Sequence, residues 1–200
     1  MKIILVRHGE TNWNTINKVQ GGLNDIPLNE KGILQSKRTG LKLKDETIDL
    51  IFSSPMKRAI ETANEINVYQ NLTVEPSQNL LERIYGKYEG TSYHELNDKM
   101  YNTYLEDNYE ELDIERLEVF EKRLREFVDE LKNKHSKKTI LIVSHSSVSK
   151  MLISILLNVH LRDTRINVIK KNASISTIVF DENNNILSKT LGFDEHLNDI

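Results

Sequence analysis

Lys2-Ile3-Ile4-Leu5-Val6-Arg7-His8-Gly9-Glu10-Thr11 is the stretch whose reading decides the fold. Lys2 to Val6 is a short, largely β-branched apolar run, the pattern of a strand buried on both faces of a parallel sheet. Gly9 ends it by letting the backbone turn tightly. Arg7 and His8 thereby fall at the carboxyl end of a central strand, where open α/β sheets bind their ligands. An arginine there presents a rigid fork of donors suited to phosphate oxygens. A histidine presents a nitrogen that can attack, relay a proton or bind a metal. The alternative is a strand end that merely carries two polar residues.

Outward from this stretch, the chain alternates strand and helix patterns. Asn12 to Pro27 is polar and turn-rich, and reads as a loop over the active face. Asn29 predicts an N-cap for a helix from Glu30 to Leu43, with Ile33, Leu34, Leu41 and Leu43 as its apolar contacts. Ile48 to Phe52 predicts a second strand. Ser54 follows as a capping residue with Pro55 at the first helical position, where its missing N–H costs nothing. The helix so begun extends to Ile66 and carries Arg58 in its first turn. Thr73 to Glu75 reads as a short strand, and Leu80 to Gly90 as a loop.

Further on, Leu117, Phe120, Leu124, Phe127, Val128 and Leu131 recur at three- and four-residue intervals, which predicts a helix over 115–134. Thr139 to Val143 is another apolar strand, ending at Ser144-His145. A helix marked by Val148, Met151, Leu152, Ile155 and Leu156 starts beside that histidine. Ser174 to Phe180 and Ile186 to Leu191 flank a turn-forming cluster at 181–185 and read as a hairpin towards one sheet edge. The sum is an α/β fold. It predicts a three-layer α/β/α sandwich with a mostly parallel central sheet, in one domain over 1–200.

Between Lys87 and Asp113 lie eight acidic residues, two lysines and no arginine. This segment reads either as a partly helical excursion that covers the site as a lid, at about 87–113, or as a solvated acidic surface.

Composition narrows the function classes. The 200 residues suit one domain with a real core, and a net charge of −3 leaves no basic footprint for nucleic acid. With no cysteine, a thiolate nucleophile and a disulfide framework are both excluded. No apolar run approaches the length of a membrane span, and Ile3 to Val6 is too short for the core of a signal peptide, so the expectation is a cytoplasmic protein without a membrane partner. The sequence carries no signal for an oligomeric state. His94, His135, His160 and His196 match no motif, and no histidine pair has a metal-ligand spacing backed by acids, so no metal is expected.

Three strand ends deliver Arg7 and His8, Arg58 and His145 to a common rim. Two guanidiniums and two imidazoles suit a dianionic oxygen cluster, because phosphoryl transfer needs mainly positioning and charge stabilisation. The helix N-terminus after His145 would add backbone donors. Taken singly, Arg58 would be a surface helix residue and Glu82 a solvated loop acid. Their neighbours change that reading. Arg7-His8-Gly9-Glu10-Thr11 with Asn12-Trp13-Asn14, then Gly21, Asp25, Pro27, Leu28, Gly32 and Gln35, form a first block. Ser53 to Ala63, Leu80-Leu81-Glu82 with Gly86 and Glu89-Gly90, and Val143-Ser144-His145 follow in order. This series resembles the signature of the histidine phosphatase superfamily, which includes the cofactor-dependent phosphoglycerate mutases.

That resemblance implies a phosphoglycerate mutase-like fold and a metal-independent phosphoryl transferase acting on a small phosphorylated metabolite. It assigns His8 as the nucleophile that becomes transiently phosphorylated. Arg7, Arg58, His145 and Asn14 match phosphate-binding positions. Glu82 matches the acid that protonates the leaving oxygen and then takes a proton from the incoming water or hydroxyl. Gly21, Arg83 and Ser146 are candidate substrate contacts, Ser146 standing where the family commonly has glycine. Glu82 to Gly86 is similar to the mutases, with arginine after the acid, whereas Lys87 to Gly90 is similar to the phosphatases. The basic insertion of the mutases has no counterpart between Thr91 and Asp113, and the chain after Leu191 is short. The expectation is therefore a phosphomonoester phosphatase without cofactor. The alternatives are a phosphoglycerate mutase primed by 2,3-bisphosphoglycerate and a catalytically silent phosphate-binding module.

Overall fold

The structure is a computed structural model that describes residues 1–161 and 171–200. Among these, β1 (Lys2–Arg7), β2 (Leu50–Ser53), β3 (Val74–Pro76), β4 (Thr139–Ser144), β5 (Ile175–Phe180) and β6 (Ile186–Phe193) form one sheet in the order β3-β2-β4-β1-β5-β6. β1, β2 and β3 run parallel with β4, and β5 and β6 close one edge as the antiparallel hairpin expected there. Register places the site. Arg7 pairs with Ser144, so His8 and His145 leave adjacent strands side by side, one residue beyond the ladder.

Alternation along β1 divides the core in two. Ile3 and Leu5 point to one face and pack with Phe120, Leu124, Phe127, Val128 and Leu131 of α5 (Leu117–Lys134) and with Met151 and Leu152 of α6 (Ser146–Leu157). Ile4 and Val6 point to the other face and pack with Ala59, Ala63 and Ile66 of α3 (Lys57–Asn67). α2 (Glu30–Lys42) lies against α3. This is the three-layer sandwich with helices on both faces. No helix among the described residues is long and apolar enough to cross a membrane.

Three local readings are corrected. The first concerns α2, capped by Asn29 as expected, whose side chain accepts from the Gly32 N–H at 2.7 Å. Its buried face is Gly32, Gln35, Ser36, Thr39 and Gly40, while Ile33, Leu34 and Leu41 are 38%, 44% and 45% exposed. Close approach is the reason. A Cβ at Gly32 would overlap the backbone of Glu10, and one at Gly40 would press on Glu65 and Ile66. Small residues let the helix come that near, and Ser36 and Thr39 return their hydroxyls to the carbonyls of Gly32 and Gln35, so no donor is stranded. The second concerns α3, which starts at Lys57 with Met56 at its cap and excludes Pro55. Asp25 does the capping from a distance, accepting from the Lys57 N–H at 2.7 Å. The third concerns Asn12 to Pro27, which is not all loop. α1 (Asn12–Thr15) is a single turn closed by a Thr11–Asn14 capping box.

The 87–113 excursion is partly helical, as one of its sequence readings has it. It contains α4 (Tyr93–Glu106), where Leu96 is buried and Tyr93, Leu96, Asn97 and Met100 line a cleft. Glu106, Asp107, Glu110, Glu111 and Asp113 face solvent. These five carboxylates are exposed, whereas Glu89 of the same segment turns inward to the 21–24 loop.

Candidate active site

At the carboxyl end of the sheet, Arg7, His8, Asn14, Gln20, Gly21, Arg58, Glu82, Tyr85, Tyr93 and Ser146 line one small cavity. It shares Arg7, Asn14, Tyr85, Tyr93 and Ser146 with a cleft of about 630 Å³ that opens beside it. The small cavity holds His8, Arg58 and Glu82, and the cleft, lined further by Arg83 and Lys150, has room for the remainder of a ligand.

His8 is 4% exposed. Its Nδ1 lies 2.7 Å from the Gly9 carbonyl oxygen. A carbonyl can only accept, so Nδ1 carries the proton and Nε2 keeps its lone pair. Burial, then the charges of Arg58 and Arg7, hold the His8 pKa well below the ordinary histidine value. His8 is a neutral imidazole of fixed tautomer at neutral pH. Its backbone is held too: Gly9 N–H donates to Thr62 Oγ1 at 3.0 Å, and Asn172 Nδ2 donates to the carbonyls of His8 and Gly9 at 3.0 and 3.2 Å. Asn172 also donates to Asn14 Oδ1 at 3.2 Å. That oxygen already accepts from the Thr11 N–H at 3.1 Å, which sets the Asn14 amide at the cavity wall.

Arg58 is fully buried. It donates from Nε to His145 Nδ1 at 3.2 Å, from Nη1 to the Asn24 carbonyl at 2.9 Å and from Nη2 to the Gly21 carbonyl at 2.8 Å. Three of the five N–H groups of a guanidinium are thus used for orientation. Gly21, expected as a substrate contact, serves here through its carbonyl as an orienting acceptor for Arg58. Burial lowers the Arg58 pKa, and the charges of Glu82, Asp25 and Glu89 work against that shift.

His145 stands behind this wall with no exposed surface, its ring 5.2 Å from that of His8 between centroids. Because Nδ1 accepts from Arg58, Nε2 carries the proton and donates to Ser54 Oγ at 2.7 Å. Burial first, then Arg58, His8, Arg7 and Arg123, keep its pKa well below the ordinary histidine value.

Glu82 is 8% exposed. Its carboxylate accepts from the Arg83 N–H at 2.9 Å and from the Ser147 N–H, in the first turn of α6, at 3.3 Å. Burial raises its pKa, while those two bonds, Arg58 and Arg7 pull the other way. The net shift is upward, which favours a protonated carboxyl. The α6 N-terminus, expected to serve phosphate, serves Glu82 at Ser147 and presents Ser146 to the cavity. Arg83 spans from the cleft to the Glu115 carbonyl, donating from Nε at 3.0 Å and Nη2 at 2.9 Å. Its guanidinium carbon lies 5.6 Å from the centre of the Tyr85 ring.

The sequence-stated residues His8, Arg7, Arg58, Glu82, Asn14, Gly21 and Ser146 therefore converge on one cavity. His145 joins them through Arg58, and Arg83 lines the adjoining cleft. Ser54, Asn172, Gln20, Glu89, Tyr85 and Tyr93 are not among the residues the sequence assigns to the site, although Glu89 lies in a matched block and Tyr93 in the excursion read as a lid. Ser54 lay inside a matched block but read as a helix cap. Asn172 follows two lysines in a segment without pattern, so no local signal marks it. Among the described residues, no group of three or more histidine, aspartate or glutamate side chains could hold a metal ion.

Comparison with known proteins identifies the family. Residues 3–190 match a family model described as the histidine phosphatase superfamily, branch 1. An uncharacterized phosphatase of Bacillus subtilis is 36% identical over 90% of this chain and 89% of its own length. Phosphoserine phosphatase 1 of Hydrogenobacter thermophilus is 32% identical over 94% of this chain and 91% of its own. The crystal structure of a mutant phosphoserine phosphatase from Entamoeba histolytica, in complex with phosphoserine, superposes with a TM-score of 0.80. It is 29% identical and covers 98% of both chains.

Proposed function

The chain belongs to the histidine phosphatase superfamily, and from that premise we propose that it hydrolyses small phosphomonoesters through a phosphohistidine formed on His8. The observation that carries this is the tautomer of His8: Nδ1–H is tied to Gly9, which leaves the Nε2 lone pair in a cavity walled by two arginines. A neutral imidazole of that kind attacks phosphorus without first losing a proton.

In the first step the Nε2–P bond forms as the P–O bond to the leaving group breaks. Arg7 and Arg58 stabilise the charge on the equatorial oxygens. Glu82, whose pKa burial raises above the ordinary carboxylate value, is the group placed to give a proton to the leaving oxygen. In the second step the Glu82 carboxylate takes a proton from water, the water oxygen bonds to phosphorus and the Nε2–P bond breaks. Inorganic phosphate leaves, and Glu82 is again protonated. His145 holds Arg58 in line throughout.

The open cleft gives water a route to phospho-His8, which supports hydrolysis over transfer to a second hydroxyl. Conversion of 3-phosphoglycerate to 2-phosphoglycerate, even when primed with 2,3-bisphosphoglycerate, should be slower than phosphate release. The decisive experiment is an acid- and base-quench of the protein with labelled substrate. Wild type should yield an acid-labile, base-stable phosphoryl group, and His8→Ala should yield none while remaining folded. Full turnover by His8→Ala would overturn the mechanism. Rapid isomerisation that depends on the bisphosphate and releases little phosphate would replace the phosphatase with the mutase.

A further inference from the structure

Glu89 accepts hydrogen bonds from five donors on two separate segments. Oε1 takes the backbone N–H of Gly22 at 3.1 Å and of Tyr85 at 3.1 Å. Oε2 takes the backbone N–H of Leu23 at 3.0 Å and of Asn24 at 3.2 Å, and Asn24 Nδ2 at 2.9 Å. The loop at 21–24 is wrapped around this one carboxylate. Gly21 allows it, with φ +57°, and a Cβ at that position would fall on the Glu89 side chain. The same loop carries the two carbonyls, of Gly21 and Asn24, that orient the Arg58 guanidinium.

We propose that Glu89 is a positioning residue for Arg58: it folds the 21–24 loop into a carbonyl cradle that aims the guanidinium at the transferring phosphate. Charge explains the indirect design. A carboxylate bonded directly to Arg58 would orient it equally well, but would neutralise it and compete with the phosphate for its N–H groups. Backbone carbonyls orient without cancelling the charge. Glu89 places its negative charge one layer behind, where it helps Arg58 stay ionised in a buried site. The inference rests on the reading that Arg58 binds the phosphate.

A double-mutant cycle tests it, with orthovanadate inhibition and the steady-state constants for a small phosphomonoester as readouts. Glu89→Gln is nearly isosteric, yet its NH2 group must face backbone N–H donors that an oxygen served before, so the loop loses its fold. Glu89→Gln should lower kcat/KM by roughly 10–100-fold and weaken vanadate inhibition by a similar factor, consistent with losing part of one charged contact. In the Arg58→Ala background the same change should cost less than about 3-fold, since its target is gone. Glu89→Asp, which keeps the charge, should recover part of the loss. Asn24→Ala deletes one bond to Glu89 and leaves its charge in place. It should show a smaller loss in the same direction, and carries the test should Glu89→Gln fail to fold. Equal losses in both backgrounds, or unchanged vanadate inhibition, would overturn the inference alone. Wild-type activity in Arg58→Ala would overturn the phosphate-binding reading of Arg58 and this inference with it.

Discussion

The Nε–H of Arg58 donates to His145 Nδ1 at 3.2 Å, so a guanidinium and an imidazole are joined as donor and acceptor inside the candidate active site. Such a bond requires a neutral histidine. Its other nitrogen must then donate, and Ser54 Oγ receives it at 2.7 Å. Ser54, His145 and Arg58 form one buried chain that reaches from the end of β2, past the end of β4, to the second residue of α3.

Ser54→Ala breaks the far end of that chain and leaves the His145 Nε2–H unpaired. An unsatisfied buried donor costs about 1–3 kcal/mol, which urea unfolding should register. Loosening Arg58 should also raise KM for phosphomonoesters. A variant within about 0.5 kcal/mol of wild type would mean that Ser54 is a bystander.

Stability should depend on pH in two opposed windows. His8 and His145 have pKa values well below 6.5 in the fold, so the unfolded chain binds more protons than the native one as pH falls below 6.5. Their contribution is complete above 6.5 and is lost on acidification through that window. Glu82 behaves oppositely: its pKa is raised above 4.5, so the native state binds the extra proton and its contribution fades as pH rises through the folded value. Unfolding free energies between pH 5 and 7 should therefore fall towards the acid side. The slope should be shallower in His8→Ala, and an identical slope would show that His8 titrates normally.

Glu82→Gln removes the proton donor and keeps the shape. Hydrolysis of alkyl phosphates should fall by about 10²–10⁴-fold, the usual worth of general acid catalysis. Nitrophenyl phosphate, whose leaving group needs little protonation, should fall much less. Equal losses on the two substrates would assign Glu82 to positioning.

Removing divalent metal with EDTA should leave turnover of both substrates unchanged, because Arg7 and Arg58 already supply the positive charge that a metal would bring to the phosphate. Strong inhibition, reversed by adding back Mg²⁺ or Zn²⁺, would contradict this.

Gly32→Ala tests the corrected face of α2. The new methyl would fall on the Glu10 backbone, two residues from His8. Overpacking of this kind typically costs about 1–3 kcal/mol, and here it should reduce activity as well as the melting temperature. Ile33→Ala, on the exposed side of the same helix, should change neither by a comparable amount.

Periodicity and strand-end chemistry made the architecture legible in the sequence. The unbroken run of Lys2 to Val6, the stripe of α5 and the spacing of the strands each follow from local burial patterns, and local patterns are what a sequence writes out. The same is true of Arg7, His8 and His145, which stand where strands end, and of Arg58, in the first turn of the helix after β2. Their neighbours in the chain also make up the matched blocks that drew in Glu82. The inner face of α2 was misread because hydrophobic periodicity assumes that helices bury large apolar side chains. This helix instead buries glycine, serine and threonine, to come within contact of another backbone. Ser54 Oγ does accept from the Met56 N–H at 3.4 Å just before α3, but its shorter bond is to His145, 91 residues away and beyond the reach of any local pattern.

Sequence alone thus determined the order of strands and helices, the sheet end on which the candidate site lies and most of the charged groups that line it. Tertiary structure decided how those groups are held. Asp25 caps α3, Asn172 fastens the backbone of His8 and Glu89 gathers a loop 65 to 67 residues away. Bonds of this kind depend on two segments being brought together by the packing of everything between them, so neither segment carries a local pattern that announces the other.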